Sequence, residues 1–191
     1  MATLPQISTA CYAIDSRASQ FTVKAFASGL ISVVAHSPTF AIREISGEAI
    51  FEPESMAHAS MRMTADPLGM ELKDETSGDE RRAILKVMHQ EVLESSRYPS
   101  IVFQSRRINA AKLGDHLYLS TIEADLSLHG ITRQVTLTAQ TVVGDDTMRA
   151  IGDFTIQQTD FAMNIVSIAN STLRLKDELK FNFFIVARRK W

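Results

Sequence analysis

The sequence has few of the features that mark cross-linked, membrane-spanning or secreted proteins. Its 191 residues include one cysteine, Cys11, so no internal disulfide can form, which agrees with a reducing compartment. No apolar run is as long as the about 18 residues that a transmembrane helix needs. Residues 1–13 also lack the basic segment and apolar core of a secretion signal. These absences predict a cytoplasmic protein without a transmembrane segment.

An excess of positive charge is missing too. The chain has 20 Lys and Arg residues against 22 Asp and Glu residues, and its net charge is −2. No basic stripe is present of the kind that binds a phosphate backbone. The segment Arg188-Arg189-Lys190 is short and is interpreted as a solvated terminus. We therefore expect no nucleic-acid partner.

The motifs of common catalytic and cofactor sites are absent as well. There is no Gly-x-Ser-x-Gly turn, no P-loop and no Gly-x-Gly-x-x-Gly fingerprint, and Cys11 has no histidine near it in sequence. The sequence thus predicts no enzyme activity and no cofactor. If the protein is nevertheless an enzyme, the candidate polar residues are His116, His129 and Asp160.

The histidines are scattered without the spacing of metal ligands, so we expect no metal site. His129 is assigned to a hairpin turn, where a polar ring suits exposed backbone. The five histidines are His36, His58, His89, His116 and His129.

Apolar side chains are abundant, since 45% of residues are hydrophobic and ten are phenylalanine. Outside one segment they alternate with polar residues, which is the pattern of strands with one buried face. The clearest strand runs from Ile122 to Leu128, and Gly130 separates it from the next strand of a hairpin. An earlier run, from Phe40 to Phe51, is expected to break near Gly47. About eight strands result, the number whose closed barrel can hold one small ligand.

One segment has helical spacing instead. Ile84, Met88 and Val92 recur on one face, and Ser77 to Glu80 form a capping box. This pattern predicts a single amphipathic helix over about 78–95, lying across a barrel end. The whole chain, 1–191, is expected to form one domain.

Several motifs lie in a consistent order along this predicted barrel. They are Tyr12-Ala-Ile-Asp15, Ser46-Gly47-Glu48-Ala49, Phe51-Glu52-Pro53, Tyr98-Pro-Ser-Ile-Val-Phe103, Leu126-Ser-Leu-His-Gly-Ile-Thr-Arg-Gln-Val-Thr-Leu137, Asp160-Phe161 and Leu175-Lys-Asp-Glu-Leu-Lys-Phe181.

Together these motifs resemble the YceI-like lipid-binding family, whose members are extended lipocalin-like antiparallel barrels that hold a polyisoprenoid in an apolar channel. The sequence departs from the family at Gln158, where an arginine is common, and at Ala162, where glycine is usual. The family's Arg-Asp-x-His-Leu stretch, which precedes the Tyr-Pro motif, is also absent.

The resemblance implies a non-enzymatic protein that sequesters or transports a long apolar ligand. The expected ligand is an isoprenoid, an isoprenoid quinone or a fatty-acid-like molecule. Each CH₂ removed from water contributes roughly 0.8 kcal/mol, so a tail alone can drive binding. The inward-facing strand residues expected to contact it are Phe21, Val23, Phe40, Ile42, Met61, Met63, Ile122, Ala124, Leu126, Leu137, Phe154, Ile156, Phe181 and Phe183.

Periodicity does not distinguish a hollow interior from a filled one. With a filled core, the alternative is a protein interaction module that uses its outer surface. Phe26, Phe184 and Val186 fall on that outer face. They either pack beneath the helix or form a homodimer contact.

Overall fold

The structure is a computed structural model that describes residues 9–28, 37–166 and 174–191. His36 lies outside the described residues. The described chain forms eleven strands in one antiparallel sheet and one helix. The strands are β1 (Ala10–Ile14), β2 (Gln20–Ser28), β3 (Thr39–Ile42), β4 (Ile45–Phe51), β5 (Ser60–Ala65), β6 (Met70–Leu72), β7 (Ile101–Gly114), β8 (Leu117–Leu128), β9 (Ile131–Val143), β10 (Thr147–Gln157) and β11 (Arg174–Arg189).

Eight of these strands close into a ring. Their order is β1-β4-β5-β7-β8-β9-β10-β11, and the ring closes because β1 pairs with β11. The other three strands extend one side of the barrel, with β2 pairing β11, β3 pairing β2 and β6 pairing β3. The predicted all-β, eight-stranded antiparallel barrel is confirmed.

The break expected near Gly47 lies elsewhere. The run is interrupted at residues 43 and 44, between β3 and β4, while Gly47 lies within β4. At Gly47 (φ +150°) a Cβ atom would lie 2.1 Å from the carbonyl oxygen of Arg62 on β5. This glycine is therefore needed for close approach of two strands rather than for a bend between them.

The hairpin between β8 and β9 was predicted correctly. Leu128 pairs with Ile131, and His129 and Gly130 form the loop with φ of 52° and 74°. Two positive φ values match a type I′ turn, whose twist suits a hairpin. A Cβ atom on Gly130 would also lie 2.5 Å from the ring of Tyr98, so the turn packs tightly on the Tyr98-Pro99 motif.

The helix α1 spans Gly78–Val87 and continues as a π-helical turn over Met88–Val92. As predicted, Ser77 caps it, since its hydroxyl accepts a hydrogen bond from the Glu80 amide. It ends three residues earlier than expected, because Glu94 takes a left-handed conformation with φ of 43°. None of the described helices has the length and apolar character needed to cross a membrane.

The helix lies over an end of the barrel interior, as expected. Its apolar residues Ile84, Leu85, Val87 and Met88 pack against the interior cluster of the barrel. Arg81 fixes it to the sheet by donating hydrogen bonds to the carbonyls of Leu72 and Asp74. The helix thus lies beside β6, the last strand of the extension.

The wall of the barrel opens between β9 and β10 at the same end. Their pairing stops at Thr138 and Asp153, although both strands continue. Beyond that point β9 and β10 are connected through the 3-10 turn Gln158–Phe161, which follows β10 directly. Arg133 on β9 donates to the carbonyl of Asp160 at 2.9 Å.

Candidate functional site

The barrel interior contains two apolar clusters. The smaller one, here called the floor, fills the end closed by the pairing of β1 with β11. Tyr12 and Phe51 stack there with ring centroids 4.8 Å apart, and the Tyr118 hydroxyl donates to the Glu54 carbonyl at 2.8 Å. The floor consists of Ala10, Tyr12, Ala49, Phe51, Met56, Tyr118, Val143, Met148 and Ala187.

The larger cluster, here called the lumen, surrounds a cavity. The cavity has a volume of about 100 Å³, and among the floor residues only Met148 lines it. One buried water needs about 10–15 Å³ on the same scale, so this space is several times larger than a packing defect. The barrel is therefore filled at the floor and hollow in the lumen.

Most of the residues selected from the sequence line this cavity. Two do not: Ala124 and Ile156 are buried in the lumen cluster but do not border the space. Whether the lining residues contact a ligand stays a prediction. The twelve that line the cavity are Phe21, Val23, Phe40, Ile42, Met61, Met63, Ile122, Leu126, Leu137, Phe154, Phe181 and Phe183.

Other parts of the wall are not among the residues selected from the sequence. Met88, Val92 and Leu93 come from the helix and the loop after it, and the helical spacing of Met88 and Val92 is the signal that could have added them. The remaining lining residues come from strand positions and from the segment after β10. They are Ala25, Ile45, Ala65, Met70, Ile101, Phe103, Leu128, Ala139, Met148, Ala150, Gln158, Met163, Leu175, Leu179 and Ile185.

Methionine is prominent in the lining. An unbranched side chain with a polarizable sulfur can adopt many shapes at low cost, so methionines let a cavity wall adapt. About 100 Å³ holds only part of a long chain, so a tail that entered the cavity would have to displace wall side chains. The lining methionines are Met61, Met63, Met70, Met88, Met148 and Met163.

His129 lies in the hairpin turn, as the sequence predicted, and its ring is buried. Its side chain is 8% exposed, its Nδ1 lies 3.0 Å from the carbonyl of Phe161, and its Nε2 lies 3.3 Å from the Glu94 carboxylate. Tyr98 packs against it with centroids 4.5 Å apart. His129 thus joins the β8–β9 hairpin to the 3-10 turn and to the loop after the helix.

The residues named as catalytic alternatives do not line the cavity. His116 is exposed in the β7–β8 turn with φ of 65°, and Asp160 is exposed while its carbonyl accepts from Arg133. Cys11 contacts the Glu48 carboxylate at 3.4 Å, and burial, together with that carboxylate, raises the pKa of the Cys11 thiol. A raised pKa makes this thiol a weak nucleophile at neutral pH.

No group of three or more His, Cys, Asp or Glu side chains close enough to hold a metal ion occurs in the part of the chain that the structure describes. On the outer face, Phe184 is 37% exposed, so the helix does not cover it, while Val186 is buried. The homodimer contact that Phe184 could provide stays a prediction.

Comparison with known proteins agrees with this geometry. Residues 12–187 match the family model of the YceI-like domain. The chain belongs to the YceI-like family. The YceI-like motifs Tyr98-Pro99 and His129-Gly130 meet at one place in the barrel, where the Tyr98 ring packs on both residues of the turn. The comparison with curated proteins finds no match.

Solved structures with this YceI-like fold come from several bacteria. BcnA of Burkholderia cenocepacia is 20% identical, with a TM-score of 0.70 over 91% of this chain and 98% of its own. A polyisoprenoid-binding domain from Saccharophagus degradans, implicated in plant cell wall breakdown, is 11% identical, with a TM-score of 0.66 over 94% of this chain and 98% of its own. The Campylobacter jejuni YceI protein is 15% identical, with a TM-score of 0.60 over 80% of this chain and 85% of its own.

Proposed function

We propose that this YceI-like domain binds a long, slender apolar molecule in its lumen and sequesters or carries it without chemical change. The observation that carries this proposal is the internal cavity with an almost wholly apolar wall. A hydrocarbon chain is the kind of ligand that such a wall stabilises, because burial of each CH₂ contributes roughly 0.8 kcal/mol.

The ligand class follows from the shape of the site and from the family. An isoprenoid, an isoprenoid quinone with its ring outside the narrow part, or a fatty-acid-like chain would suit an eight-stranded interior, whereas a fused-ring sterol would not. The polyisoprenoid-binding domain of Saccharophagus degradans supports the isoprenoid choice. The cytoplasmic location and the transport role stay predictions.

Organic extraction of the purified protein, followed by mass spectrometry, tests the proposal. We expect an apolar compound at close to one molecule per chain, and uptake of a fluorescent isoprenoid by the delipidated protein. An empty extract together with no uptake would contradict binding and would favour an interaction module. Conversion of the extracted compound on incubation would contradict the non-enzymatic role.

A further inference from the structure

The wall of the lumen includes a buried amide. Gln158 is 2% exposed, stands at the first position of the 3-10 turn after β10, and lines the cavity. Every other described residue of the lining has an apolar side chain. Placing a carboxamide against hydrocarbon costs free energy unless its polar atoms find partners, so this residue requires an explanation.

The carboxamide has hydrogen-bonding capacity to spare. A glutamine side chain offers two N–H donors and a carbonyl with two lone pairs. Among residues 9–28, 37–166 and 174–191, one bond to it is present, from Nε2 to the carbonyl of Lys176 at 2.9 Å. That bond orients the amide on β11, and the remaining capacity can serve a polar group inside the cavity.

The same wall indicates that this polar group is uncharged. No Lys, Arg, His, Asp or Glu occurs among the described lining residues. A phosphate or carboxylate carried to this position would lose its hydration without gaining a counter-charge, which is strongly unfavourable. A hydroxyl or a carbonyl would lose far less and could bond to the amide.

The position of Gln158 also sets the direction of the ligand. The lumen reaches the floor at Met148, ten residues before Gln158 along β10. At about 3.3 Å per residue this is about 33 Å of strand. With a strand tilt of about 40°, the distance along the barrel axis is about 25 Å. A tail directed at the floor would place its head beside Gln158.

From these observations we propose that Gln158 selects the head group: the lumen takes a slender chain whose end beside Gln158 is a neutral hydrogen-bonding group, a hydroxyl or a carbonyl. This inference rests on the proposed function and adds the chemical class of the ligand's polar end.

The test compares three ligands of one chain length on the delipidated full chain: geranylgeraniol, the hydrocarbon without its hydroxyl, and geranylgeranoic acid at pH 8. Their dissociation constants follow from displacement of a fluorescent isoprenoid. We expect the alcohol to bind about two- to tenfold more tightly than the hydrocarbon, as one neutral hydrogen bond would give. The ionised acid should bind most weakly.

Gln158→Met, which nearly conserves volume, should abolish the preference for the alcohol and leave hydrocarbon affinity equal or higher. The matched control is Thr159→Val, in the same turn but outside the lumen, where the Thr159 hydroxyl donates to Asp177 at 2.6 Å. This variant loosens the turn without changing the cavity wall, so it should keep the preference.

The outcomes separate the two proposals. If the wild-type protein binds none of the three ligands, the proposed function fails. If it binds alcohol and hydrocarbon equally, or binds the acid best, the function stands and the role of Gln158 fails. Equal weakening of both neutral ligands by Gln158→Met would show a purely structural residue. If that variant does not fold, Gln158→Leu replaces it, and the wild-type ligand series still decides.

Discussion

The floor and the lumen draw on the same residue types but fill space differently. In the floor, Tyr12 and Phe51 are 0% and 1% exposed and stack with their planes 4° apart. In the lumen, Phe154 and Phe181 also stack, at 4.7 Å, but both rings border a cavity of about 100 Å³. Aromatic content therefore does not decide whether a barrel interior is solid.

The difference follows from how the sheet closes around each region. At the floor, β11 pairs with β1 and the ring is complete. Around the lumen, β11 pairs with β2, the extension stops at β6, and β9 and β10 separate after Thr138 and Asp153. A helix and a 3-10 turn complete that wall instead of strands. A wider perimeter encloses more volume than the inward side chains can fill.

The same substitution made in both regions tests whether the floor is packed more densely than the lumen. Phe51→Ala should lower the free energy of unfolding by about 3–5 kcal/mol, because a fully packed ring leaves a new void. Phe154→Ala should cost less than half as much, because that ring already borders empty space. Urea unfolding measures both values. Equal losses would show that the lumen is packed as densely as the floor.

A bulky side chain placed in the lumen should abolish lipid binding while the protein still folds. Leu126 on β8 is 5% exposed and lines the cavity, so Leu126→Trp should abolish lipid uptake. Overpacking should cost no more than about 1–3 kcal/mol of stability. Leu119→Trp is the matched control on the outer face of the same strand, where Leu119 is 39% exposed. Unchanged uptake in Leu126→Trp would place the binding site outside the lumen.

Removing a buried hydroxyl from the floor should change stability by a smaller amount. The Tyr12 hydroxyl is buried and has no hydrogen-bond partner among the described residues, and burial raises the pKa of Tyr12. Tyr12→Phe should therefore be neutral or stabilising by up to about 1 kcal/mol. Thermal unfolding checks this, with Tyr118→Phe as control, since the Tyr118 hydroxyl is hydrogen-bonded and its loss should destabilise. Destabilisation by Tyr12→Phe would reveal a bound partner for that hydroxyl.

Acid should loosen the lumen end before the floor. Burial lowers the pKa of His89, in the last turn of the helix, below its ordinary value of 6.5. The unfolded chain then binds more protons, so stability falls as the pH drops below 6.5. Near the floor, hydrogen bonds from Arg188 and Lys190 lower the pKa values of Asp15 and Glu48 from 3.8 and 4.5. Their stabilisation is present above those values and is lost as the pH falls through the lower folded ones.

Hydrogen exchange at a series of pH values measures both responses. The protection factors of the helix amides, which correct for the pH dependence of intrinsic exchange, should fall from about pH 6 downward, and those of β1 and the end of β11 only below about pH 4. His89→Gln should remove the first response and leave the second. Earlier loosening of β1 than of the helix would contradict this assignment.

Much of the fold could be predicted from local pattern. Period-two alternation identified residues 122–128 of the strand Leu117–Leu128, and Gly130 identified the hairpin after it. The helix was found from the capping residue Ser77 and its apolar spacing. The prediction of a break near Gly47 was wrong because a glycine can allow either a bend or a close contact between strands. The position of Arg62 on the neighbouring strand shows that this glycine allows the close contact.

Interactions between near neighbours in the chain are enough to fix the alternation that makes strands, the single helix and the apolar character of the inward face. The filled floor, the hollow lumen, the buried His129 ring and the position of Gln158 at the cavity do not follow from local pattern. Each of these depends on distant segments meeting, and on how much space the closed sheet leaves between them.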